Sequence, residues 1–219
     1  MIKNIKTTIL ELHSFIILWI TQALSSLGSA MTNFAVVIWS YQQQGSALTT
    51  ALLAICSYAP YVLLSIFAGA LSDRWNKKIT MLVSDSFAAL CSILLLILLM
   101  TDNLQIWHLY LINTLNGLMN TVQQPASDVA VSLLTPKKHY QKVSGMRSFS
   151  NSLVTILTPV AATALLSFTS IEVVILADLI TFSLAFVSLL FFIKIPKIKK
   201  HNFIKKETLN EFLFCFVYI

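Results

Sequence analysis

Residues 69–78 read GALSDRWNKK, between YVLLSIFA (61–68) and ITMLV (79–83). Asp73, Arg74, Lys77 and Lys78 interrupt two otherwise apolar segments, each long enough to cross a bilayer. A spanning helix needs about 20 mostly apolar residues. The stretch therefore reads as the polar connection between two membrane spans.

The rest of the chain extends the same pattern. Of its 219 residues, 57% are hydrophobic and 11% are charged. Soluble domains carry about 25% charged residues, so composition alone gives a membrane protein. The net charge of +6 comes from Lys and Arg outside or at the ends of the apolar runs. No basic stripe is interleaved with aromatics, so nucleic acid is excluded as a partner. Cys56, Cys91 and Cys215 are far apart, with neither metal spacing nor a disulfide framework. His13, His108, His139 and His201 are isolated and flank the apolar runs. Neither HExxH nor GxxxxGK[ST] occurs, so neither a metalloenzyme nor an ATP-driven pump is indicated.

Six spans are predicted, at about 14–40, 48–71, 79–100, 105–134, 142–168 and 171–193. The first is too long for a signal-peptide core. The loops at 41–47, 101–104 and 168–171 hold no Lys or Arg. All 15 basic residues fall on the other set of connections and at the termini. The positive-inside rule then puts both termini in the cytoplasm. The expected class is an all-α multi-pass protein of the plasma membrane. Its expected organisation is a cytoplasmic N-terminus (1–13), a six-helix bundle (14–193), and a cytoplasmic basic linker with a truncated tail (194–219). FLFCFVYI (212–219) is too short to span.

Gly69, Leu71, Asp73, Arg74, Lys77 and Lys78 resemble the signature between helices two and three of the major facilitator superfamily. Asn76 stands where that family usually has Gly, and is expected to keep its turn through left-handed backbone angles. TQALSSLGSAMTNFAV (21–36) and NGLMNTVQQPASDVAVSLLTP (116–136) resemble helices one and four of macrolide-efflux-like members. The family's helix-four Arg is absent, with Asn113 in its place. Gly145 and Pro159 match two positions of the helix-five pattern of drug antiporters. An antiport signature and a simple proline kink both fit them.

Family members have two six-helix halves that enclose the substrate near the membrane midplane. The resemblance thus implies the N-terminal half of a transporter, expected to export hydrophobic drugs such as macrolides. It implies the proton gradient as energy source and no cofactor. The implied partners are a hydrophobic small molecule, the lipid bilayer, and the C-terminal half or a second chain. A half-protein or remnant that does not transport and acts as a membrane partner module is the alternative.

The resemblance also implies a charge network that locks one conformation: Asp73, Arg74, Lys77, Asp128 and Arg147. Ordinary interfacial pairing is the competing reading. A charge inside a bilayer costs about 2.5–3.5 kcal/mol on insertion scales, so it needs a partner or a cavity. Asp178 enters from the outer side, with no Lys or Arg at its depth. It reads either as a proton or cationic-drug site, or as a protonated or water-exposed rim residue. Asn113, Asn116, Asn120 and Gln124 share a helical face. With Gln22 and Asn33 they are candidates to line a cavity, or to hydrogen bond between helices.

Overall fold

The computed structural model describes residues 12–193 and 195, with side chains of 66–74 left aside. The expected segments 1–11 and 194–219 (Ile195 apart) lie outside the described residues, as do the surroundings of Gly69, Leu71, Asp73 and Arg74.

Helices follow from the apolar runs: α1 (His13–Gln44), α2 (Ala47–Arg74), α3 (Lys77–Met100), α4 (Ile106–Leu134), α5 (Tyr140–Phe168) and α6 (Ile171–Val187). A 3-10 turn (Lys137–His139) precedes α5, and a π-helical turn (Ser188–Phe192) extends α6. The described residues contain no strand. Among the described residues, five helices are long and apolar enough to cross a membrane. The other, α4, is diluted by Asn113, Asn116, Asn120, Gln123, Gln124 and Asp128.

Local chemistry sets the ends. Gly45 ends α1 at φ 63°, and its N–H donates to the Tyr41 carbonyl at 2.7 Å. Glycine adopts this left-handed cap without penalty. At the start of α4, His108 Nδ1 accepts from the Gln105 backbone N–H at 3.1 Å, half of a reciprocal capping box. Asn76 does not take the expected left-handed turn. Its backbone is extended (φ −72°, ψ 115°), and its side chain accepts from the Lys78 N–H at 3.1 Å. Asn is among the best N-caps, so it starts α3 by capping where a left-handed turn was expected.

Apart from α3 and α4, the main neighbours in space are not neighbours in sequence. The packing order runs α2, α4, α3, α6, α1, α5, with α1 also touching α2 and α4. One apolar cluster gathers Phe15, Leu18, Met81, Ala130, Val143 and Leu189 at the basic end. A second gathers Val36, Leu53, Leu95, Leu109 and Ile175 toward the other end. Two glycines permit close approach. A Cβ on Gly28 would lie 3.0 Å from the Asp178 Cα. One on Gly117 would lie 3.2 Å from the Ser57 carbonyl carbon and 3.3 Å from Pro60 Cγ. Small residues let membrane helices meet backbone to backbone.

Lys78 ties the first turn of α3 to the end of the bundle. Its Nζ donates to the carbonyls of Leu190 (2.9 Å) and Ile193 (2.7 Å). Those carbonyls lie past the end of α6, where a cation also suits the helix dipole.

Candidate functional site

Polar side chains sit between the two apolar clusters. On α1, Gln22, Ser26, Ser29 and Asn33 recur at helical spacing. Ser26, Ser29 and Asn33 are exposed, and Gln22 is half-buried. On α5, Ser144, Ser148, Asn151, Ser152, Thr155 and Thr163 are exposed along one side. Sequence reading missed the α5 stripe, because small hydroxyl residues look like packing positions until their exposure is known.

The predicted α4 face divides. Asn120 and Gln124 are exposed. Asn113 accepts from Ser57 Oγ of α2 at 3.1 Å, so it joins helices rather than facing outward. Asn116 Oδ1 is buried and has no partner among the described residues. Among sequence-derived candidates, Gln22, Asn33, Asn120 and Gln124 thus reach or approach the exposed polar face.

Two carboxylates lie behind α1. Asp178 is 4% exposed. Its Oδ1 accepts from Ser29 Oγ at 2.9 Å, and its Oδ2 from Ser92 Oγ at 3.3 Å. Three helices therefore seal it, which corrects the reading of a water-exposed rim residue. Asp85 is 8% exposed. It accepts from Gln22 Nε2 of α1 at 3.4 Å and from Gln123 Nε2 of α4. Asp85 is absent from the candidates that the sequence offers. Nothing in the sequence spacing links residues 22, 85 and 123.

At the basic end, Arg147 of α5 pairs with Asp128 of α4. Trp19 Nε1 of α1 donates to the Met146 carbonyl at 3.1 Å. These contacts fix α5, which otherwise packs mainly on α1. Within the expected charge network, the Arg147–Asp128 pair is formed, and Lys77 is buried at the start of α3. Gly145 and Pro159 lie on the exposed side of α5, with open space where a Gly145 Cβ would be. The helical backbone runs unbroken through Pro159.

Long apolar helices, one polar face and buried carboxylates define a multi-pass membrane protein. The chain belongs to the Major Facilitator Superfamily, whose sequence profile matches residues 18–217. It is 24% identical over 184 residues to macrolide efflux protein A of Streptococcus pyogenes, covering 84% of this chain and 45% of that protein. It is 26% identical over 189 residues to the uncharacterized MFS-type transporter YfiS of Bacillus subtilis (strain 168), covering 86% of this chain and 44% of that protein. The chain thus spans less than half the length of these curated relatives. The family is one of transporters and not of enzymes.

Proposed function

We propose that the chain is the N-terminal six-helix half of a proton-coupled antiporter, which exports hydrophobic drugs such as macrolides across the plasma membrane. The family match carries this reading. The relative named for macrolide efflux supports the substrate class.

In this reading α4 is the sixth span. Its polar residues are shielded by α2 and α3 on one side and meet the substrate cavity on the other. Both termini are cytoplasmic, because the basic residues gather at one end. The polar faces of α1, α4 and α5 form this half's wall of the cavity. Asp178 carries the coupling proton, and Gln22, Asn33, Asn120 and Gln124 meet substrate or its water. The Arg147–Asp128 pair, with Asp73, Arg74 and Lys77, holds one conformation of the basic end. Rocking against a second half opens the cavity to each side in turn.

A second reading is a half-protein that acts only by pairing with another membrane chain. The exposed polar stripe of α5 favours it, since such a stripe meets lipid poorly and calls for a partner. Accumulation of a labelled macrolide in cells that make a C-terminal six-helix half, with and without the chain, separates the two. Transport predicts lower accumulation that a protonophore restores. Unchanged accumulation, at verified expression in the membrane, supports the pairing module.

A further inference from the structure

The two buried acids, on different helices, share one partner helix, α1. Gln22 and Ser29 lie two turns apart on the polar face of α1, about 10 Å along its axis. Each grips a carboxylate from a helix behind it: Gln22 holds Asp85 of α3, and Ser29 holds Asp178 of α6. We propose that Asp85 is a second proton-carrying carboxylate, held by Gln22 and Gln123, and that α1 links both acids to one exposed polar face. This deepens the proton coupling proposed above and rests on that reading.

The chemistry of the cradle carries the assignment. Asp85 is 8% exposed, and its hydrogen-bond donors are two neutral amides. Amides satisfy the oxygens of a carboxylate but do not cancel its charge, and a buried charge calls for a counter-ion or a proton. Glutamine is the side chain that serves both states. Its NH2 donates to the carboxylate, and after a flip its carbonyl accepts from the protonated acid. The Gln22 contact, at 3.4 Å, is long for a hydrogen bond, and Gln22 is half-buried beside the exposed Ser26. It is the partner placed to turn. A proton from water at the polar face then adds to Asp85 Oδ2, and the new O–H donates to Gln22 Oε1. Release reverses both steps, so the charge balance is one proton on and one off.

The other titratable groups on the surrounding elements are few. α1 carries His13 and Tyr41 at its two ends. α4 carries His108 and Tyr110 near its start, and Asp128, which is paired with Arg147. α6 carries Glu172 in its first turn, and Asp178. The turn Ser188–Phe192 carries none. On α3 itself, Lys77 lies two turns toward the basic end, Lys78 caps the Leu190 and Ile193 carbonyls, and Cys91 lies toward the other end.

Infrared difference spectroscopy on the full chain in lipid nanodiscs tests the assignment. Wild type minus Asp85→Asn is expected to show a protonated-carboxyl C=O band that appears and vanishes with pH. Wild type minus Asp178→Asn shows a separate one. Gln22→Leu keeps both carboxyls and moves the midpoint of the Asp85 band alone. Absence of any titrating acid band in the Asp85 difference, at every pH where the chain stays folded, overturns the proposal. Should Asp85→Asn fail to fold, Gln22→Leu decides, and a titration identical to wild type overturns it. Absence of a titrating band from the Asp178 difference alone refutes the proton role of Asp178 and leaves Asp85 in place.

Discussion

At the scale of single residues, position in the bundle decides what a side chain does. Asn76 looks in the sequence like a substitute for a turn glycine, yet its side-chain Oδ1 caps α3. Both roles suit Asn, and only the backbone angles separate them. Lys78 reads as one more loop charge, but it caps carbonyls more than a hundred residues away in sequence. Gly28 and Gly145 make the contrast testable. A Cβ on Gly28 would crowd Asp178 Cα and Oδ1 at 3.0 Å each, as well as Thr181 Oγ1, whereas Gly145 faces open space. Gly28→Ala is expected to destabilise the chain by about 1–3 kcal/mol through overpacking. Gly145→Ala, on an exposed helix position, is expected to be neutral or stabilising by about 0.5–1 kcal/mol. Thermal unfolding of the two purified variants measures both. Equal melting temperatures contradict the tight α1–α6 contact.

At the scale of helices, the apolar runs located the long helices among the described residues, five of which are long and apolar enough to cross a membrane. Pairing was not legible. That α1 packs on α6, and α2 on α4, depends on small residues such as Gly28 and Gly117 meeting a particular backbone. Asp85 and Asp178 were visible in the sequence as acids inside apolar runs, but their partners come from other helices. The α4 helix shows the consequence. Its amides weaken its own case for the membrane, while Asn113 and Gln123 hydrogen bond to α2 and α3. Residues 106–134 alone, in a reporter protein, are expected to insert poorly compared with residues 79–100, and to span the membrane in the full chain. Glycosylation mapping reads both. Equal insertion of the two isolated segments would show that α4 needs no neighbours.

At the scale of the whole molecule, the bundle is unevenly finished. Apolar clusters close both ends, while polar stripes on α1, α4 and α5 remain exposed between them. The other exposed surface carries large apolar side chains such as Ile93, Val187 and Phe191, suited to lipid. The polar stripes are predicted to line a water-filled cavity. Cysteine labelling in membranes tests it most directly, using the full chain with Cys56, Cys91 and Cys215 replaced. Single cysteines at Ser29, Asn120 and Ser152 are predicted to react with a water-soluble maleimide, while those at Ile93, Val187 and Phe191 stay unlabelled. Equal reactivity of the two sets, or silence of the polar set, would contradict the account.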